Sequence, residues 1–476
     1  MAGASKRSPR VGWLAAAVTT GVIACGGDGE QTAGVDPGRF PPGLPGRVDS
    51  IANAALAAGP LAGLSIAIAA DGEPVFAGSW GVADVRSGAR VDRGTLYDVS
   101  SLTASITAAA AVRLSESGRL DLDQTLDTAV PGLAAIVPGA DRIRLRHLLT
   151  NTSGLSDFVG DATTAWIADR ESVDRDAVLE AAARPAAFAP GEAWSESHTA
   201  FRMAGEAIGR AAGVSYAAFV RDSVAGPLGL ADTYLCDERP AEPRRVSVHE
   251  PGQGGLEISP LDRMPGFESE AGLCMTIEDL VRIPGAFERG GVITPAGVEE
   301  MLAPTTLANG IEVDYGLGVR LGSLEGHRLW GNRGGVGSTR AILMHFPDDG
   351  LTLAVLQNTD GVRVDALSVA GNVARALLGL PPPVLEPVPA PDLDRYAGRY
   401  IEADGEYTMA VNADSLIRSR GDSNALVPLG AGLFGWRRYP MDRFRFHDIA
   451  GAVVGVSEYY NGLFAEYHPR KAEAGP

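Results

Sequence analysis

Pro381-Pro382-Pro383 opens a run of prolines that continues through Pro391, and it divides the chain before any other feature is considered. Proline has no backbone N–H and a fixed φ, so neither a helix nor a central strand runs through such a stretch. Residues 381–392 are therefore read as a stiff, extended linker. On its short side, 393–470, aromatic and β-branched residues alternate with turn signals, as at Tyr400, Tyr407, Phe434, Phe444, Phe446 and Tyr459. That alternation predicts a small all-β domain. On its long side, Val48, Ile51, Ala52, Ala55 and Leu56 recur at helical spacing up to Gly59-Pro60. Leu64 to Ala70 and Pro74 to Gly81 read as a hairpin joined at Asp71-Gly72, and a helix is expected from about Ser101 to Glu116. After a helix-rich middle, Tyr315 to Leu321, Ser338 to Phe346 and Leu351 to Gln357 read as antiparallel strands, and Arg363 to Leu378 as an amphipathic helix. Strands enclosed by terminal helices, with helices inserted between them, predict an α/β (more strictly α+β) fold: one antiparallel sheet flanked by helices, with a helical lobe beside it.

Composition narrows the function. Asp+Glu 59 against Lys+Arg 41 gives a formal net charge of −18, which argues against a nucleic-acid partner held by charge. Three cysteines exclude a disulfide framework, and the seven histidines show no metal-ligand spacing, so neither metal nor cofactor is expected. Lysine occurs only at Lys6 and Lys471. Arginine keeps its proton near neutral pH and does not replace a lysine base.

The N-terminus reads as an export signal. Lys6, Arg7 and Arg10 precede an apolar stretch from Val11 to Ala24, and Val22-Ile23-Ala24 stands directly before Cys25. A basic head, a short apolar run and a small residue at the cut predict a signal peptide over 1–24. Cleavage elsewhere, or retention as a membrane anchor, is the alternative. The order Val-Ile-Ala-Cys resembles the lipobox of bacterial lipoproteins, which implies lipidation at Cys25 and attachment to the cell envelope. Residues 25–45 read as a flexible tether and 46–380 as the main domain.

Several landmarks of the main domain stand in one order. Val99-Ser100-Ser101-Leu102-Thr103-Ala104 opens a helix that Gly118-Arg119-Leu120-Asp121 closes. Then come Arg146-His147-Leu148-Leu149-Thr150-Asn151-Thr152-Ser153-Gly154, Pro190-Gly191-Glu192-Ala193-Trp194-Ser195, Tyr315-Gly316-Leu317-Gly318 and Gly331-Asn332-Arg333-Gly334-Gly335. In this order the chain resembles the serine β-lactamase and DD-peptidase superfamily, nearest its class C and esterase-like branch, over about 47–380. The β-rich tail is similar to the small barrel often appended to that family.

The resemblance implies a nucleophilic serine at Ser101, with the family's lysine base one helical turn later. Here that position is Ala104. A phenol is expected where Glu196 stands, in Glu196-Ser197-His198, and a basic group where Asn332 stands, in Asn332-Arg333-Gly334. The oxyanion would be held by the backbone N–H groups of Ser101 and Gly335. Every group expected to move a proton is thus replaced, while the serine and the glycines remain.

Ser101 has two readings, a nucleophile or a relic hydroxyl lining its helix. Glu196 and His198 form either a rewired relay with Ser101 or a bland pair, Glu196 bonded to Arg333 and His198 merely hydrogen-bonded. Arg333, beside Gly334, either receives a substrate carboxylate or is consumed by that internal pair. His147 reads as packing. Cys236 and Cys274 are either a disulfide or two buried thiols. Three functions stay open. The first is an impaired hydrolase scaffold that binds a cell-wall peptide or a small ester or amide ligand. The second is an active serine hydrolase with substitute groups, and the third a structural envelope protein.

Overall fold

The computed structural model describes residues 30–31, 39–159, 172–263, 265–335, 339–362, 364–389, 392–402, 405–419 and 424–471. Cys25 and the export signal lie outside these residues. Within the expected tether, Glu30 and Gln31 pair with Ala77 and Phe76. This corrects a wholly free tether: an edge strand offers unpaired N–H and C=O groups to an extended segment beside it.

Helix α1 (Leu44–Ala58) begins four residues before Val48, the first residue of the helical spacing, because Pro45 in its first turn has no N–H to lose. Its Leu44, Val48, Ala52 and Ala55 make one buried stripe. Strands β1 (Gly63–Ala70) and β2 (Glu73–Asp84) form the expected hairpin. All of β1 is buried, since both faces are covered: Leu64, Ile66 and Ile68 enter one core, Ala67 and Ala69 the other. The short strand β3 (Tyr97–Asp98) leads through a 3₁₀ turn, Ser100–Leu102, into α2 (Thr103–Glu116), so the regular helix starts two residues after Ser101.

The middle of the chain supplies helix α3 (His198–Ala212) and strands β4 (Tyr234–Leu235) and β5 (Leu273–Met275), followed by helices α4 (Ile277–Glu288) and α5 (Pro295–Met301). Strand β5 lies between β3 and β4 in a small separate sheet. Cys236 and Cys274 are bonded, with Cα atoms 5.0 Å apart, which decides between the two readings of these thiols.

Strands β6 (Arg320–Leu324), β7 (His327–Gly334), β8 (Arg340–Phe346) and β9 (Leu351–Gln357) complete the main sheet. The strand expected from Tyr315 begins only at Arg320, because Tyr315–Val319 is a turn containing Gly318 at φ +64°. Helix α6 (Ala366–Leu377) starts at its cap, Asp365, whose carboxylate accepts the Ser368 N–H. The sheet order is β2-β1-β9-β8-β7-β6, all antiparallel. Helices α1 and α6 pack on each other over one face, and α2, α4 and the helical lobe bury the other.

Beyond the prolines, eight strands make a meander: β10 (Gly398–Glu402), β11 (Gly405–Asn412), β12 (Ser415–Ser419), β13 (Asn424–Gly430), β14 (Leu433–Trp436), β15 (Arg443–Ile449), β16 (Ala452–Tyr460) and β17 (Leu463–Pro469). Tyr400 bridges to Arg470, and the Lys471 N–H reaches the Arg399 carbonyl, so the last strand returns to the first. Five of the aromatic residues singled out in the sequence fill this barrel: Tyr400, Tyr407, Phe434, Phe444 and Phe446. Strand β17 also pairs with β6 at Leu463 and Gly322, so the main sheet runs on into the barrel.

Candidate functional site

Ser101 sits where the 3₁₀ turn becomes α2, and three contacts shape that corner. The Asp98 carboxylate accepts the Ser100 N–H at 2.8 Å, and the Thr339 hydroxyl donates to the Asp98 carbonyl. Ser100 itself is left-handed, at φ +50°, a backbone cost of about 1–3 kcal/mol that persists only where surrounding contacts over-determine it. The Gly334 end of β7 lies flush against the corner: a Cβ on Gly334 would stand 2.8 Å from the Ser101 nitrogen. A side chain there would push the strand off the helix. Gly335 follows at φ +140°, its carbonyl taken by Arg340. The Ser101 hydroxyl has no hydrogen-bond partner among the described residues, and the residue is 8% exposed.

Ala104, one turn on, is buried and carries no polar atom beyond its backbone. The Asn332 side chain is spent on structure. Its amide donates to the Gly318 carbonyl at 2.9 Å, and its oxygen accepts the Arg333 N–H at 3.1 Å. The two side chains therefore join α2, the 315–318 turn and β7 without offering a base.

Glu196 does not bond Arg333, which corrects that expected pair. Its Oε2 takes a hydrogen bond from Arg320 at 2.6 Å. The reason is register. Arg320 lies opposite Gly331 in the β6–β7 hairpin, so Arg320 and Arg333 leave the same face as diagonal neighbours, and Arg320 is the nearer to Glu196. Arg333 turns to the barrel instead. It stands 3.6 Å from Glu466 and 5.0 Å over the Tyr460 ring. Burial pushes the Glu196 carboxyl up, but the Arg320 charge, with His198 and Arg333 beyond it, holds it below the ordinary carboxylate range.

His198 is the first residue of α3, behind the Ser197 cap, and its Nδ1 lies 2.9 Å from the Asp157 carboxylate rather than on Glu196. Burial alone would lower its pKa. The Asp157 charge and hydrogen bond, with Glu196 and Glu270 nearby, instead push it up to about 9. The imidazole is therefore a cation at neutral pH. Asp157 is held low by the same contact against its own burial, and its second oxygen accepts the Thr199 N–H at 3.1 Å. Glu270 is 2% exposed, with one buried oxygen lacking a partner among the described residues; burial raises its pKa against the opposing Arg202 charge. His147 is away from these contacts: its Nδ1 accepts the Arg144 N–H, as a packing role requires.

Four participants escaped the sequence reading. Arg320 follows a glycine-bounded turn without any motif, and Asp157 carries no spacing signal toward His198. Asn151 lay inside a noted landmark. It holds the Trp194–Ser197 segment through its carbonyl (Ser195 N–H, 2.9 Å) and its side-chain oxygen (Ser197 N–H, 3.1 Å). The fourth is the barrel itself. Trp194 packs edge-on against Phe464, and Arg320, 1% exposed on its side chain, donates to the Phe464 and Ala465 carbonyls of β17. No sequence pattern linked β17 to this cleft.

Comparison with known proteins agrees with this geometry. The β-lactamase family model matches residues 48–378. The chain is 25% identical over 365 residues to penicillin-binding protein 4* of Bacillus subtilis (strain 168), covering 72% of this chain and 80% of that protein. It is 30% identical over 273 residues to esterase EstB of Burkholderia gladioli, covering 54% of this chain and 68% of the other. In fold it is similar to the octameric penicillin-binding protein homologue from Pyrococcus abyssi. That likeness has a TM-score of 0.63 at 22% identity and covers 90% of this chain and 99% of that one, too large a share to omit the barrel. With the serine corner, the flush glycine strand and a family match over most of its length, this chain belongs to the β-lactamase family of serine hydrolases.

Proposed function

We propose that this protein is an exported, lipid-anchored member of its family whose hydrolytic machinery is impaired, and that its cleft binds a cell-envelope peptide or a small ester or amide. One observation carries the impairment: among the described residues, the Ser101 hydroxyl has no proton acceptor beside it. Ala104 brings only a methyl group, the Asn332 amide is engaged by Gly318, and Glu196 is engaged by Arg320. An unassisted serine hydroxyl is a poor nucleophile near neutral pH, and a positioned base is worth roughly 10²- to 10⁴-fold. The Cys236–Cys274 bond supports export, because such bonds persist in oxidising compartments. The relatives named as a penicillin-binding protein and an esterase support the ligand class.

The test is intact-mass analysis after exposure to penicillin and to a fluorophosphonate, with Ser101→Ala as the control. The expected result is no adduct within seconds at pH 7. A stoichiometric adduct that disappears in Ser101→Ala would overturn the impairment.

A second reading rests on Asp157. A carboxylate on Nδ1 is the arrangement that orients a histidine toward a serine in hydrolytic relays, and it supports Ser101 with His198 as base. His198 loses its proton only near pH 9, so such acylation would climb about tenfold per pH unit up to that point. A flat rate from pH 6 to 10 would exclude it.

A further inference from the structure

A cavity of about 920 Å³ lies where the barrel meets α5 and the β6–β7 hairpin, and none of Ser101, Glu196, His198 and Asn332 lines it. Its size is that of an ordinary small-molecule site. The main domain contributes Leu302 at the end of α5, Leu321 on β6 and Trp330 on β7 to its apolar part, beside Leu433 and Met441 of the barrel. Trp330 is 3% exposed, and its indole N–H is a buried donor with no partner among the described residues.

The barrel supplies the charge. Along β15, Phe444 and Phe446 enter the barrel core, so the alternate residues Arg443 and Arg445 face outward into the cavity. Among the described residues neither guanidinium has a carboxylate at hydrogen-bond distance. Glu325 is 3.8 Å from Arg443 and closer to Arg375, at 3.2 Å. Asp314 is 3.6 Å from Arg445, and one of its oxygens already takes the Tyr459 hydroxyl at 2.6 Å. Among the described residues Arg443 donates to the Pro440 and Asp442 carbonyls, and burial, with the Arg375 charge, lowers its pKa more than the Glu325 and Asp442 carboxylates raise it.

We infer that this junction cavity is a second ligand site, for a small amphipathic monocarboxylate whose apolar body lies on Leu302, Leu321 and Trp330 and whose carboxylate bridges Arg443 and Arg445. A single negative charge suits it. The acids Glu288, Glu299, Asp314 and Glu325 also line the cavity and would repel a second one, although one Glu288 oxygen is already hydrogen-bonded to His345 at 2.9 Å. The inference is independent of any chemistry at Ser101.

Calorimetric titration of the full chain with octanoate, and with octanol as the uncharged control, tests it. Octanoate should bind one saturable site at least about tenfold more tightly than octanol, the margin expected of a charge-assisted contact to two arginines. The pair Arg443→Gln/Arg445→Gln should remove that margin while octanol binds as before, and Trp330→Phe should weaken octanoate severalfold. Should the double variant fail to fold, hydrogen exchange on the wild type replaces it, with octanoate expected to protect 321–330 and 441–445. No saturable heat, an unchanged margin in the double variant, or protection at 99–104 and 195–198 instead would each overturn the site.

Discussion

Glu196 and Arg320 show how one residue's neighbourhood decides whether a cleft is chemical or structural. Arg320 is fully buried and Glu196 about one-third exposed, so the two partners are not equivalent. Replacing Arg320 by Met leaves a half-desolvated carboxylate and two unanswered barrel carbonyls, and is expected to cost about 3–5 kcal/mol. Glu196→Gln keeps a hydrogen-bond acceptor and is expected to cost about 1–2 kcal/mol. A double-mutant cycle in urea should return a coupling of at least ~1 kcal/mol; strictly additive losses would show that the pair is not an energetic unit. His198 gives a second residue-scale outcome. Its folded pKa is raised from 6.5 to about 9, so the stabilisation it provides is whole below 6.5 and is lost as pH rises through about 9. Wild-type stability should therefore fall across that window. His198→Gln should flatten the profile there, and a wild-type curve already flat from 6.5 to 9 would contradict the Asp157 contact.

At the scale of elements, the serine corner depends on a strand of only two residues. Asp98, which holds Ser100, belongs to β3, and β3 pairs with β5 at Cys274, which is bonded to Cys236 just past β4. The bond closes a loop with a sequence separation of 38, for which chain entropy predicts about 4 kcal/mol of stabilisation. Cys236→Ala/Cys274→Ala should accordingly lower the urea midpoint by the equivalent of ~2–4 kcal/mol, and dithiothreitol should do the same to the wild type. A variant as stable as the wild type would mean that the small sheet holds β3 without the bond.

Across the whole molecule, the barrel is part of the cleft wall. Strand β17 extends the main sheet, its carbonyls hold Arg320, its Glu466 faces Arg333, and Phe464 supports Trp194. Ending the chain at Leu380 would expose the β6 edge, take the Phe464 and Ala465 carbonyls from Arg320 and take Glu466 from Arg333. An unpaired edge with buried cations beside it favours aggregation over a folded smaller domain. The truncated chain should be insoluble or melt far below the full chain; a truncation that melts with the full chain's cooperativity and midpoint would show the barrel to be an independent appendage.

The β1–β2 hairpin, the helix after Ser101, strands β8 and β9, the closing helix α6 and the barrel's aromatic core were legible in the amino-acid sequence; strands β3, β4, β5 and β7 were not. Each legible element follows from a local rule: alternation, helical spacing or a turn dipeptide. The serine corner and the glycines beside it were legible too, because they stand at fixed positions along a recognisable series of landmarks. Partnerships were not. That Glu196 meets Arg320 rather than Arg333 follows from a two-residue offset across the β6–β7 hairpin. That His198 meets Asp157 follows from the packing of α3 against a loop about 40 residues earlier in the chain. Electrostatic pairing depends on distances of a few ångströms between segments remote in sequence, and only the tertiary structure sets those distances.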